Sequence, residues 1–355
     1  MDIIKMETIL IRPQYLRQYG SSKDVHFCLV TNSSLVNQFQ IAENSDYTST
    51  KIVPYDAERS LEQLFDESIP EPAHVLVISP QYFLESPAPE KLGQRKLVVM
   101  PCNSTPTPLL AIEHFLGIME RTDPEKLEAF ADRFFDLGRN SEYLEIINET
   151  QGTKAIFEHL DESYEWNQQA GFIEWGEQQI APAGELSALP DDIMRFNANL
   201  RLAVNGEIAL QGQPTVHSGA VSFLPEDQTR IYKALECMRS SAVIATVKNG
   251  LITELRASHP EAQPAVDMFN NMFVLDSRYR IIWEMGFGIN TAHELLPGNF
   301  GMNETYGGSN GVFHLGIGLT PYTQYALILL CPDTQVLGRN GEALVGKSAM
   351  LSTTR

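Results

Sequence analysis

One stretch near the carboxyl end, residues 284–326, constrains the fold more than any other part of this chain. It combines frequent glycine with several carboxylates and a histidine, and residues 313–318 (FHLGIG) alternate in a way that predicts a buried strand entering a turn. A carboxylate or imidazole is costly to bury in such backbone unless it binds a metal, a ligand or another side chain. Glu284 and His314 are therefore the first candidates for a functional site.

The length and charge of the chain limit the number of domains and the kinds of partner that it can have. A chain of 355 residues exceeds one typical domain, which predicts two domains with separate cores. The formal net charge of −19 argues against nucleic acid and against an anionic membrane surface as partners. It is compatible with a self-repelling soluble surface or with a basic partner. No signal-peptide pattern is present and no apolar run approaches about 18 residues, so we expect a cytoplasmic protein.

Residues 1–138 predict an α/β domain with a short, mostly parallel sheet. Three apolar, β-branched runs have the composition of strands covered on both faces: residues 25–31, 74–79 and 96–102. Helical spacing is found between and after them, at residues 60–67 and 107–120. A further helix begins near Asp123-Pro124 and carries a Leu/Phe stripe, and we expect the first domain to end with it.

Residues 139–355 predict an α+β domain rich in antiparallel hairpins. Asn-Gly pairs favour two-residue turns, and three of them interrupt strand-like patterns. The predicted hairpins are residues 203–210 around Asn205-Gly206, residues 242–255 around Asn249-Gly250, and residues 325–330 with 335–345 around Asn340-Gly341. A helix is predicted over residues 260–273.

Three segments of this second domain carry acidic or histidine residues in turn-rich contexts: APAGELSALP (181–190), WEMGFGIN (283–290) and HLGIG (314–318). In this order they resemble the thermophilic aminopeptidase (aminopeptidase T) family and its relatives, the 2,5-dihydroxypyridine dioxygenases. The resemblance covers roughly residues 150–350. It implies that Glu185, Glu284 and His314 hold a metal ion.

The chain departs from that family at its next motif, a strand bearing His-x-Asp. The best register places Gln324 at the histidine and Ala326 at the aspartate. A two-metal peptidase needs enough ligands for both ions, and an oxygenase iron is typically held by two histidines and a carboxylate. Because both replaced positions belong to these ligand sets, the sequence favours the absence of a metal cofactor.

The first functional hypothesis is accordingly a non-catalytic homologue that binds a peptide or a peptide-like small molecule. By analogy, related chains with degenerate metal sites resemble the peptide-binding proteins of ribosomal peptide pathways such as that for crocagin, and this implies a similar role here. Exposed backbone in glycine-rich loops can pair with an extended chain. The residues predicted to bind the ligand are Gly298, Asn303, Gly307, Gly308, Asn310 and Gln324.

The alternative is an active mononuclear metalloenzyme with a single divalent ion (Fe, Zn, Co or Mn) on Glu185, Glu284 and His314. Glu304 or Tyr306 would then act as acid or base. In the simplest structural interpretation, by contrast, Glu185 caps a turn, Glu284 pairs with Arg278 or Arg280, and His314 is a hydrogen-bonded core residue. His217 either lines the cleft or is a solvated loop histidine, and the sequence favours the loop. The family resemblance also implies a homodimer.

Overall fold

The computed structural model describes residues 8–43, 46–56, 58–158, 164–190, 201–220, 222–318, 322–338 and 341–346, with the backbone alone at 164 and 165. Within these ranges no helix has the length and apolar character needed to cross a membrane. Contacts divide the chain into two units, Met1–Glu128 with Gln169–Ala183, and Ala129–Gln168 with Gly184–Arg355. The sequence predicted a single boundary after residue 138, whereas this division falls after residue 128 and also assigns residues 169–183 to the first unit.

Strands outnumber helices in the described part of the chain. The chain begins with β1 (Ile9–Ile11), β2 (His26–Asn32), β3 (Phe39–Ile41), β4 (Ser49–Tyr55), α1 (Leu61–Glu67), β5 (Ala73–Ile78), α2 (Pro89–Leu92), β6 (Arg95–Met100), α3 (Leu109–Arg121) and α4 (Pro124–Arg139). Seven strands follow: β7 (Leu144–Asn148), β8 (Thr153–Phe157), β9 (Tyr164–Gln169), β10 (Gln178–Ile180), β11 (Glu185–Pro190), β12 (Val204–Leu210) and β13 (Pro214–Ser218). The last elements are α5 (Pro225–Leu235), β14 (Val243–Lys248), β15 (Leu251–Ala257), α6 (Gln263–Leu275), β16 (Ile282–Gly288), β17 (Val312–Ile317), β18 (Tyr325–Cys331), β19 (Gln335–Leu337) and β20 (Ala343–Val345).

The first unit is built on a five-stranded parallel sheet with the order β10-β6-β5-β2-β4, and β1 and β3 form a separate parallel pair. Strand β5 is buried along its whole length, and its sequence (AHVLVI) is accordingly almost continuously apolar. Helix α1 begins with a capping box in which the side chains of Ser60 and Gln63 bond each other's backbone N–H groups. The α/β class predicted for this part of the chain is confirmed.

The polar exception in β5 is His74, which is fully buried. Its ring stacks on Tyr19, with centroids 4.6 Å apart, and its centroid lies 5.6 Å from that of Trp175. Its Nδ1 is 2.9 Å from the hydroxyl of Tyr47, whereas Nε2 has no hydrogen-bond partner among the described residues. Because burial disfavours the imidazolium and Lys96 repels it, the pKa of His74 is lowered to about 3.

We expect acidification from pH 7 to pH 5 to reduce the free energy of unfolding by about 2 kcal/mol through His74. Its folded pKa of about 3 lies below the usual 6.5. The stabilisation is therefore complete above about pH 6.5 and is lost as the pH falls toward 3, since only the unfolded chain takes up the proton. Urea unfolding of the wild type and of His74→Phe at both pH values measures the effect. Equal losses in the two proteins would contradict it.

The second unit contains two largely antiparallel sheets. One has the order β13-β18-β17-β16-β11-β9 and the other β15-β14-β12-β8-β7-β19-β20. Asn249 and Gly250 form the tight turn between β14 and β15, and both have positive φ, at 47° and 68°, as a type I′ turn requires. The hairpin predicted around Asn340-Gly341 is found in part: β19 pairs with β20, whereas β18 pairs with β13 and β17. Asn340 itself lies outside the described residues. The hairpin-rich α+β class is confirmed.

The hairpin predicted at Asn205-Gly206 is wrong. Both residues lie inside β12, which runs unbroken between β8 and β14. Gly206 has a φ of 131°, and a Cβ there would stand 2.4 Å from the carbonyl oxygen of Lys154. The glycine therefore permits a close approach of two strands, which is the other common use of glycine in a sheet.

The six-stranded sheet has two chemically different faces, because alternate residues of β16 (IWEMGFG) point to opposite sides. On one face Phe287 lies opposite Phe313 in register, and its ring centroid is 4.7 Å from that of Phe134 in α4. Trp166 stacks on Phe287 from β9. Burial of each such ring contributes about 2–3 kcal/mol. The other face of β16 carries Glu284 with Gly286 and Gly288, so it has space beside the carboxylate for polar side chains from neighbouring strands.

Candidate metal centre

The candidate site lies on this second face and takes one side chain from each of three neighbouring strands. Glu185 of β11 lies opposite Gly288 of β16, and His314 of β17 lies opposite Gly286. Residues directly opposite each other in antiparallel strands point to the same face, and Glu284 shares that face because it is two residues from Gly286. Strand pairing thus brings together three motifs that are far apart in sequence.

Glu185, Glu284 and His314 are close enough to hold one cation. A carboxylate oxygen of each glutamate and one ring nitrogen of His314 all lie within 4.8 Å of one another. Three atoms at that spacing are within about 2.8 Å of a common point, so a contraction of less than about 1 Å would reach metal–ligand bond lengths of about 2.0–2.2 Å. All three are buried, with exposed fractions of 7% for Glu185, 6% for Glu284 and 0% for His314.

His314 is buried without the hydrogen bonds of an ordinary core histidine. Neither ring nitrogen has a hydrogen-bond partner among the described residues, and Oε1 of Glu185 is 3.5 Å from Nε2. An unpaired buried polar atom costs about 1–3 kcal/mol. Coordination of an ion would remove that cost, so the orphaned ring suits a ligand better than the hydrogen-bonded core residue of the simplest interpretation.

Two glycines make room for these side chains. A Cβ on Gly286 would stand 1.8 Å from Nε2 of His314, and a Cβ on Gly316 would stand 2.7 Å from Cβ of Glu284. Contacts below 3.0 Å are essentially never seen for real Cβ atoms. Neither glycine has positive φ, so the backbone conformation does not require them. The imidazole and the carboxylate occupy the space that larger residues would fill.

The electrostatics of the cluster also suit a cation. Burial raises the pKa of Glu284 well above its usual value, and the neighbouring carboxylates of Glu185 and Glu304 raise it further. Glu284 additionally shares a hydrogen bond with Glu185. Two buried carboxylates at this distance cannot both be ionised without a compensating positive charge. A shared proton or a bound cation supplies that charge.

The arginines considered as partners for Glu284 are engaged elsewhere. Arg278 forms an ion pair with Asp276 at 2.6 Å, and Arg280 donates to the carbonyl oxygen of Ile252 at 3.2 Å. The simplest structural interpretation of Glu284, an ion pair with one of these arginines, is therefore wrong.

A second polar pair borders the three side chains. Nε2 of His217 on β13 is 2.5 Å from Oε1 of Glu304, and the two side chains are 15% and 16% exposed. Burial alone would lower the pKa of His217, but the carboxylate of Glu304, helped by that of Glu185, raises it above the usual value. Glu185 and Glu304 thus connect this pair electrostatically to Glu284.

The interpretation of His217 as a solvated loop histidine was wrong. The residue lies in β13, opposite Ala326 of β18, and its side chain is largely shielded. Thr215, Val216 and His217 stand between the turn signals Gly212 and Gly219, so the short β-branched run was the available sign of a strand.

Gln324 and Ala326, the positions that the sequence placed in register with the His-x-Asp of the resembled family, give the cluster no ligand. Ala326 has no donor atom in its side chain, and Gln324 precedes β18, where its amide donates to the carbonyl oxygen of Ser222 at 3.2 Å. Any ligand atoms of the site must therefore come from the other strands and from the loop between β16 and β17.

Several residues predicted to bind a ligand lie in the loop that follows β16 and use their polar groups in contacts with other parts of the protein. Asn303, which is fully buried, bonds the backbone N–H and carbonyl of Leu296 at 3.1 and 2.9 Å. The backbone N–H of Gly307 donates to the Asn290 carbonyl (3.0 Å), the side-chain amide of Gln213 to the Gly298 carbonyl (2.9 Å), and the side-chain amide of Asn310 to the Gly346 carbonyl (2.7 Å). Gly308 is half-buried. Their role in ligand binding stays a prediction.

An apolar wall adjoins the polar cluster. Val312, Ile328 and Leu330 are buried, and half-buried side chains pack against them, namely Trp283, Leu295 and Tyr306. Tyr306, predicted as an acid or base, is thus placed beside apolar residues of the same face. Such a wall lowers the local dielectric and strengthens electrostatic interactions in the cluster.

The comparisons with known proteins concern the fold. No family model matches the chain, and no curated protein matches it. The structure is similar to that of 2,5-dihydroxypyridine dioxygenase from Pseudomonas putida KT2440, with 14% identity, coverage of 96% of this chain and 98% of that one, and a TM-score of 0.54. AmpT from Thermus thermophilus is also similar, with 13% identity, coverage of 92% and 94%, and a TM-score of 0.46. The chain therefore has a dioxygenase-like fold, and at this identity the likeness speaks for the fold alone.

Proposed function

We propose that this protein is a mononuclear metalloenzyme that binds one divalent cation through Glu185, Glu284 and His314 and hydrolyses a peptide-like substrate. The observation that carries the proposal is the buried imidazole of His314, with both nitrogens unpaired among the described residues, beside two buried carboxylates. Removal of charge from water is costly, so such a cluster is best explained by a positive ion.

The composition of the donor set favours hydrolysis over oxygen activation. Oxygenase iron is typically held by two histidines and one carboxylate, whereas this cluster offers one histidine and two carboxylates. A divalent ion bound there supplies Lewis acidity, which makes a water molecule nucleophilic near neutral pH. Oxygen-rich donor sets suit Mn²⁺ and Zn²⁺ as well as Fe²⁺ and Co²⁺.

The protein's own residues supply the remaining functions. Glu304, which lies near enough to Glu284 to affect its pKa, accepts a proton, and the apolar wall around Val312 and Trp283 excludes bulk water. The overall charge of −19 favours a neutral or basic peptide over an acidic one. This substrate class is the one already predicted from the sequence.

We expect the purified protein, after reconstitution with Mn²⁺, Co²⁺, Zn²⁺ or Fe²⁺ and removal of free ion, to contain about one ion per chain. Elemental analysis measures this, and a chelator should remove the ion. A panel of short neutral and basic peptides should then be cleaved by the loaded protein and not by the chelated one.

The outcomes separate the two functional hypotheses. Stoichiometric metal without peptide cleavage would leave the ion but overturn the hydrolysis. An absence of bound ion after reconstitution would overturn the metalloenzyme and favour the non-catalytic, peptide-binding role, which equilibrium binding of the same peptides would then test.

A further inference from the structure

Glu304 lies in a 3-10 helical turn (Gly301–Thr305) of the loop between β16 and β17, and not on a strand of the sheet. Its carboxylate is near enough to Glu284 to raise the pKa of that residue. Its backbone carbonyl packs over Gly288, where a Cβ would stand 2.5 Å from that oxygen, and Gly288 is the residue directly opposite Glu185. The loop is also fixed to β13, since the side-chain amide of Asn299 bonds the N–H and carbonyl of Val216 at 2.7 and 2.9 Å. The loop thus contacts both β16, which carries Gly288, and β13, which carries His217.

A carboxylate on a loop needs an additional contact to keep one orientation. Glutamate has three rotatable side-chain bonds and loses about 1.5–2 kcal/mol of conformational freedom when it is fixed. The contact seen here is the 2.5 Å hydrogen bond with Nε2 of His217. It lies across 87 residues of sequence, so it is formed only by the fold.

We propose that His217 is a positioning residue of the metal centre, which holds the carboxylate of Glu304 beside Glu185, Glu284 and His314. The inference rests on the proposed function, because it assigns His217 a role toward the same ion. His217 donates from Nε2 and does not itself coordinate the ion. Nothing in the His-x-Asp pattern of the resembled family anticipates a histidine on β13.

The register explains why β13 can supply this residue. His217 lies directly opposite Ala326, and the small alanine side chain leaves the imidazole room on the face that carries the site. The position at which the resembled family has an aspartate is thus the position that makes space for a histidine from the next strand.

Cobalt binding provides the test, because Co²⁺ reports both affinity and ligand geometry through its visible absorption. We expect His217→Ala to weaken Co²⁺ binding by about tenfold and to shift the absorption bands, as is usual when a supporting hydrogen bond is lost. His217→Gln retains an N–H donor at the same reach and should stay within about threefold of the wild type. A Glu304→Gln, His217→Ala double variant should bind no more weakly than His217→Ala alone.

His259→Ala is the matched control, since His259 faces Glu261 at 3.4 Å in an exposed pair and should leave Co²⁺ binding unchanged. Thermal unfolding of each variant shows whether it folds. The inference is overturned if His217→Ala binds Co²⁺ with wild-type affinity and spectrum, or if a folded His217→Gln is as weak as His217→Ala. If the wild type itself binds no Co²⁺, both the proposed function and this inference fail. If His314→Ala loses Co²⁺ binding but His217→Ala keeps it, the proposed function stands and only this inference fails.

Discussion

Replacement of His314 by alanine is expected to weaken divalent-cation binding by more than about 100-fold, beyond the 10–100-fold cost of losing a supporting contact. His314 is the one nitrogen donor of the cluster, and two carboxylates alone provide a much poorer site for transition metals. Glu284→Gln should have a comparable effect, because it keeps the shape of the side chain and removes its charge. Isothermal titration with Mn²⁺ and Zn²⁺ measures both variants.

The matched control is His26→Ala, since His26 lies in the first unit at the start of β2 and bonds Ser49 at 2.7 Å. It should bind the ion as the wild type does. Wild-type affinity in a folded His314→Ala protein would show that the ion, if bound, lies elsewhere. The proposed assignment of ligands would then be wrong even though the protein binds metal.

Replacement of Gly286 by alanine is expected to remove cation binding and to destabilise the second unit by about 1–3 kcal/mol, the usual cost of inserting a methyl group into a packed interior. The new Cβ would stand 1.8 Å from Nε2 of His314, so the imidazole or the strand must move. Urea unfolding and Mn²⁺ titration of the variant measure the two effects separately.

Gly117→Ala in α3 is the control for the loss of a glycine. A Cβ there meets only the flexible end of Arg121 at 3.3 Å, and alanine favours the helix by up to about 1 kcal/mol. That variant should be as stable as the wild type or more so and should bind the ion normally. If Gly286→Ala bound cation with unchanged affinity, His314 could not occupy the position described, and the geometry of the site would be wrong.

The sequence was informative about the site because its three motifs lie on strands. Alternation in WEMGFGIN separates Glu284 from Phe287, so a polar face and an apolar face follow from the order of the residues alone. The same local rule identified the turn at Asn249-Gly250 and failed at Asn205-Gly206, where a neighbouring strand rather than the turn required the glycine. The pattern of residues was the same in both cases, and the difference lay in what packs against them.

The resemblance to a known family is what added Glu185 to the candidate site. By itself, the sequence determined the two fold classes, the short parallel strands of the first part, the hairpin-rich second part, and Glu284 and His314 as residues to examine. These follow from periodicity and residue type, which act over a few positions. Only the tertiary structure decided that the three side chains converge, that Gly286 makes room for the imidazole, and that His217 bonds Glu304. Those contacts join residues dozens to more than a hundred positions apart through strand register, and no local pattern encodes which strands pair.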